Sequence, residues 1–134
     1  MKVATWNVNS IRLRLEQVLA WTAATGTDVV CLQETKVVDD DFPVSEIADA
    51  GYQVAFFGEK SYNGVAIISK HEIADVQKGF PEDAPDAPKR LIAATVNGVR
   101  IVNTYIPNGT ELWTDEFGTA NSDLLSATMG NISP

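Results

Sequence analysis

The pattern that most restricts this chain is an extended segment, an amphipathic helix and a wholly apolar segment, following one another within residues 2–33. Val3, Thr5 and Trp6 favour extended backbone over Lys2–Asn7, and Asn7-Val8-Asn9-Ser10 breaks it. Ser10 has the chemistry of a helix N-cap, and Ile11, Leu15, Val18, Leu19 and Thr22 then fall on one helical face until Gly26 ends the pattern. The run Asp28–Gln33 (DVVCLQ) is apolar without alternation, as expected of a strand covered on both faces in a parallel sheet. Strand, helix, strand is a βαβ unit, whose right-handed crossover makes the two strands parallel. The class is α/β.

Further along, Val44–Ala50 reads as a short helix closed by Gly51. Tyr52–Phe57, Gly64–Ser69, Leu91–Val96 and Val99–Tyr105 read as strands, the last two joined by Asn97-Gly98, a strong hairpin signal. Gly79–Pro88 packs three Pro and three acids into ten residues and reads as a surface loop. Beyond Tyr105 regular patterning fades, and Gly118–Ser126 has neither a helical stripe nor strand alternation. One long helix for about six strands is too little cover for a layered fold, so part of the usual packing is expected to be missing or supplied from outside.

With 134 residues the chain has room for one domain. Ten Lys and Arg against 18 Asp and Glu give a net charge of −8, and no basic residue follows Arg100. That balance excludes a binder working through a basic patch more firmly than a metal-dependent phosphate enzyme, because a carboxylate-bound cation reverses the local sign. No apolar run approaches the ~20 residues of a membrane span, and the start MKVATWNV lacks the order of a signal peptide. A cytoplasmic, reducing location is expected. The single cysteine, Cys31, has no internal disulfide partner and reads as a buried filler. His71, the one histidine, reads as a surface turn residue. With no second His, no nucleophile elbow and no Gly-rich phosphate loop, Ser-His-Asp and P-loop chemistry find no support.

The parallel pair carries the chemistry. Asn7 and Glu34 both emerge at the carboxyl edge of the sheet, and neighbouring strands lie about 4.8 Å apart. An amide oxygen and a carboxylate so spaced can share a hard divalent cation such as Mg²⁺. Spacing alone leaves the plainer reading standing, in which Asn7 is a turn residue and Glu34 a solvated strand end. Lys36 can hold that carboxylate, touch a phosphate or simply be solvated. Tyr105 ends the last strand with its phenol toward the same edge, or is a core aromatic. Tyr62 can stack on a base or sugar, or cap a core.

The motifs Thr5-Trp6-Asn7-Val8-Asn9-Ser10-Ile11-Arg12, Cys31-Leu32-Gln33-Glu34-Thr35-Lys36, Tyr62-Asn63-Gly64-Val65-Ala66, Lys89-Arg90 and Asn103-Thr104-Tyr105-Ile106-Pro107-Asn108-Gly109 resemble, in order and spacing, the exodeoxyribonuclease III family. That family belongs to the endonuclease/exonuclease/phosphatase superfamily and includes the abasic-site endonucleases. The resemblance covers residues 1–117 as the N-terminal half of a four-layer α/β/β/α sandwich, with 118–134 as an atypical tail. It implies Mg²⁺-dependent cleavage of double-stranded DNA at abasic sites and at 3′ ends, with Mn²⁺ an acceptable substitute. Glu34 and Asn7 would serve the metal, Tyr105 and Asn7 catalysis, and Lys36 and Asn9 the support of the acidic cluster. Tyr62, Arg90 and Asn108 would contact DNA.

The departures matter equally. Family members carry a Gly-Asp-x-Asn motif, a later metal-site Asp and a terminal Ser-Asp-His, none intact here. The end, Met129-Gly130-Asn131-Ile132-Ser133-Pro134, is similar to that first motif with the Asp and its neighbour lost, and the helix and strand expected before it are lacking. Such groups each contribute about 10²–10⁴-fold, so this polypeptide alone is expected to be feeble. The second sheet is expected to be absent, which would expose an apolar sheet face and favour self-association or capture of a missing carboxy-terminal half. A catalytically dead remnant binding DNA or a partner through Tyr62 and Arg90, and a branch acting on lipid or sugar phosphoesters, are the competing expectations.

Overall fold

The computed structural model describes residues 1–106 and the strand 125–127. Its elements are β1 (Val3–Asn7), α1 (Ile11–Thr25), β2 (Val29–Gln33), a 3₁₀ turn (Asp39–Asp41), α2 (Val44–Asp49), β3 (Gln53–Phe57), β4 (Val65–Ser69), β5 (Ala74–Lys78), β6 (Leu91–Val96), β7 (Val99–Thr104) and β8 (Leu125–Ala127). They form two four-stranded sheets, ordered β1-β2-β4-β3 and β5-β6-β7-β8.

The βαβ reading holds. β1 and β2 are parallel neighbours, with Asn7 opposite Gln33. Odd and even positions of β2 and β4 face different layers, because side chains alternate along a strand. Val30, Leu32, Ala66 and Ile68 join Trp6, Val8, Ile11, Val18 and Ile47 in a core under the helices. Val29, Cys31, Val65 and Ile67 meet Ile92, Ala94, Val96 and Ile101 from the second sheet. Each buried Val, Leu or Ile among them contributes about 1.5–3 kcal/mol by leaving water. Helix α1 ends where expected, with Gly26 left-handed at φ 67. Burial on all sides pushes the Cys31 thiol up to about 12, which makes it inert filler.

Three expectations are corrected. The second sheet is present, so the inner face of the first is covered rather than exposed. It includes β5, whose sequence Ala-Asp-Val-Gln-Lys is almost wholly exposed and therefore carries no apolar alternation to read. Its register also shifts between Ala74 and Gln77, and an irregular, charged edge strand of this kind resists pairing with other chains. The segment that showed no strand pattern supplies β8, parallel to β7 with Ile101 opposite Leu125. A strand does therefore precede Gly130. The rest of the tail, and Asn108, lie outside the described residues.

His71 is also more than a surface turn. Half-buried, its Nε2 lies 2.8 Å from Oδ1 of Asp28, whose Oδ2 accepts the Lys2 N–H at 2.7 Å. The Lys2 amide first, then His71, holds the Asp28 carboxyl down at about 2, against an ordinary 3.8. A depressed carboxyl stabilises the fold above its unfolded value and loses that contribution as pH falls through the folded one. Acid unfolding monitored by circular dichroism is therefore expected to shift between pH about 4 and 2 for the chain but not for Asp28→Asn. Identical acid profiles would remove this clamp from the account.

Candidate active site

The carboxyl edge of the first sheet is assembled by backbone before any side chain acts. Val8, Ser10 and Ile11 donate their N–H groups to the carbonyls of Gln33, Glu34 and Thr35 at 3.0, 2.8 and 3.1 Å, zipping the β1–α1 loop to the segment after β2. These bonds, not the Ser10 hydroxyl, satisfy the start of α1, since Ser10 sits at the cap position without a side-chain bond. Thr35 and Lys36 donate in turn to Gly64 and Asn63, Gly64 to Lys89, and Tyr105 to Arg90. One chain of main-chain bonds thus ties the described loops that bear candidate residues. Asn9, Glu34, Lys36 and Asn63 take left-handed backbone at φ 46, 56, 58 and 50, a cost that surrounding bonds must hold in place and that clusters at functional sites.

Three side chains converge on the Glu34 carboxylate. Asn7 Nδ2 donates to Oε2 at 2.6 Å, while Asn7 Oδ1 accepts the Asn9 N–H at 3.1 Å. Asn7 therefore meets Glu34 with its amide nitrogen rather than with the oxygen that a shared cation would use. Lys36 Nζ lies 3.8 Å from Oε1 and donates to Asn9 Oδ1 at 2.5 Å. The Tyr105 phenol faces the same carboxylate: partial burial first, and then the Glu34 charge and hydrogen bonding to it, raise the phenol pKa above its ordinary value, while Arg90 opposes them. A phenol so placed stays protonated and donates. Asn7, Asn9, Glu34, Lys36 and Tyr105 are thus gathered at one place.

Arg90 is linked to that cluster through Asn63, its Nε donating to Asn63 Oδ1 at 3.3 Å. Asn63 also donates to Glu59 Oε1, and neither residue was singled out individually from sequence. The available signal was Asn63 before Gly64, the residue type that best tolerates a left-handed turn. Tyr62 projects into solvent at 72% exposure, without a role in the core.

The donor chemistry fits a hard divalent ion. Mg²⁺ takes one or two protein carboxylates and fills its shell with water and phosphate oxygens, and Glu34 offers one carboxylate, restrained but a fifth exposed. No group of three His, Cys, Asp or Glu side chains gathers among the described residues.

Fold and edge together define a class: layered α/β sandwiches whose polar centre stands on strand ends rather than in a Gly-rich loop. The family model described as Endonuclease/Exonuclease/phosphatase family matches residues 4–130, and the chain belongs to that family. Exodeoxyribonuclease III of Haemophilus influenzae is 37% identical over 113 residues, covering 81% of this chain and 42% of that protein. Among solved structures, a 3′ phosphatase NExo from Neisseria bound to product DNA hairpin matches at 45% identity and a TM-score of 0.78, covering 81% of this chain and 42% of that one. An AP endonuclease from Archaeoglobus fulgidus matches at 44% and 0.75, over 81% and 42%. The chain spans less than half the length of these relatives. No helix among the described residues is long and apolar enough to cross a membrane.

Proposed function

We propose that this chain carries the Glu34 half of a Mg²⁺-dependent DNA repair nuclease site, cleaving the phosphodiester backbone at abasic sites and from 3′ ends. The observation that carries the reading is the convergence of Asn7, Lys36 and Tyr105 on one carboxylate at the strand edge. The names of the relatives, an exodeoxyribonuclease III and an AP endonuclease, support the substrate class.

Each residue has a part that follows from its contacts. Glu34 would hold the cation, and Asn7, anchored by Asn9, fixes the carboxylate rotamer and leaves its other lone pairs available to such an ion. When bound, a divalent ion neutralises phosphate charge and stabilises the leaving oxygen. Lys36 balances the carboxylate and steadies Asn9. Tyr105, held protonated beside Glu34, would turn its one O–H to a phosphate oxygen as charge builds there. Arg90, Tyr62 and Asn108 would meet the DNA, Arg90 by charge and Tyr62 by stacking. The complementary acidic and histidine groups would come from a carboxy-terminal half such as that of the relatives.

The test is nicking of an abasic-site duplex with Mg²⁺ or chelator, with and without an added carboxy-terminal half of the Haemophilus relative. The expected result is Mg²⁺-dependent nicking that rises when the second half is added. DNA binding that is equal in Mg²⁺ and chelator, with no nicking in either mixture, would replace this reading by that of a binding remnant. Turnover confined to small phosphate esters would move it to another branch of the family.

A further inference from the structure

One layer below the strand edge, between two otherwise apolar sheet faces, lies a buried polar knot that the site itself does not use. Gln33 of β2 and Asn103 of β7 are both fully buried. Asn103 Nδ2 donates to the carbonyls of Leu32 and Ala66, each at 2.9 Å. Its Oδ1 accepts from Gln33 Nε2 at 2.8 Å, and that nitrogen also donates to Thr5 Oγ1 at 2.7 Å. One asparagine of the second sheet therefore grips β2 and β4 directly, and β1 through Gln33.

The knot is a poor way to gain stability. Two amides have been taken from water into a hydrophobic interior, and Gln33 Oε1 finds no hydrogen-bond partner among the described residues. What it supplies is direction. Packed Val, Ile and Ala side chains are attracted by area, without a preferred bond angle, so the apolar interface alone sets the offset between the sheets only loosely. Hydrogen bonds from one side chain to carbonyls on two strands set it closely. The three side chains stand immediately behind the site: Thr5 two residues before Asn7, Gln33 one before Glu34, and Asn103 two before Tyr105.

We infer that Gln33 and Asn103 are positioning residues, whose buried bonds fix the second sheet against the first so that the phenol of Tyr105 reaches the carboxylate of Glu34. The inference rests on reading Glu34 and Tyr105 as one working cluster. Its consequence is that the pair matters for alignment even where its removal leaves a folded protein.

The experiment compares urea melts with the nuclear Overhauser cross-peak between Tyr105 ring protons and Glu34 side-chain protons, the ring assigned from the Tyr105→Phe spectrum. In Asn103→Leu the expected result is lower stability with loss of the cross-peak, because Gln33 is left without its partner. In the double variant Gln33→Met/Asn103→Leu both amides become apolar groups of similar volume, so the share of the loss owed to an unpaired Gln33 should return, while the Leu32 and Ala66 carbonyls stay without the Asn103 amide. The cross-peak should stay lost. A folded double variant with a cross-peak of full intensity overturns the inference. Gln33→Met alone breaks the bond between the two amides and serves if the others unfold; there the cross-peak should weaken, and an unchanged one overturns the part given to Gln33. Failure of the site reading looks different: Glu34→Gln would keep the Mg²⁺-dependent nicking of the complemented mixture, while the double variant still lost its cross-peak.

Discussion

Glu34→Gln, assayed with the complementing half, is expected to lower Mg²⁺-dependent nicking by at least about 10²-fold while leaving the melting midpoint close to that of the unaltered chain. Gln keeps the length and one oxygen of Glu but removes the charge that draws a cation. The neighbours then turn against the site. Lys36, 3.8 Å from Oε1, loses its counter-charge, and the Tyr105 phenol loses the carboxylate that accepts its bond. Fold stability should change little, because the side chain is partly exposed and the backbone bond from Ser10 to the Glu34 carbonyl remains. Raising Mg²⁺ should not restore the rate to that of the unaltered chain. Undiminished nicking by Glu34→Gln would remove Glu34 from the metal and return it to the plain role of a strand end.

The second large effect is expected on stability, from Gly64→Ala. Gly64 has φ +91, and a Cβ built there would lie 2.1 Å from Thr35 Oγ1 and 3.2 Å from the Lys36 nitrogen. Two costs add. A left-handed backbone at a non-glycine residue costs about 1–3 kcal/mol, and forcing extra volume into a packed position about 1–3 more. Thr35 cannot step aside cheaply, since it is buried and its N–H is bonded to the Gly64 carbonyl itself. Denaturant melts should show a loss of several kcal/mol, a large part of the total stability of a domain this size. Because Thr35 and Lys36 follow Glu34 directly, nicking should fall with it. A midpoint indistinguishable from that of the unaltered chain would mean the close approach is not real.

Local chemistry explains what could be read in advance. The βαβ start was legible because Ile11, Val18 and Thr22 repeat at helical spacing and the run after Asp28 is buried on both faces. The Asn97-Gly98 hairpin was legible because both residues take positive φ, 51 and 76. Strand β5 was not, because an edge strand with both faces near water has no hydrophobic period to display. The second sheet was misjudged for the same reason, as two of its four strands, β5 and β8, lack a readable pattern. At the site, Glu34, Lys36 and Tyr105 stood out as residue types with chemistry at strand ends. Gln33 and Asn103 did not, since a polar residue inside a strand reads as a solvent-facing position until a partner is seen opposite.

The amino-acid order alone determined the parallel pair, its crossover helix and hence the common edge to which Asn7 and Glu34 are delivered, because these follow from near-neighbour periodicity and the handedness of one connection. Only tertiary structure decided that the inner face is covered, that Asn7 offers nitrogen rather than oxygen, and that a buried amide pair joins two sheets 70 residues apart in the chain. Those outcomes depend on which distant groups compete for the same hydrogen bonds and the same apolar area, and no local pattern records that competition.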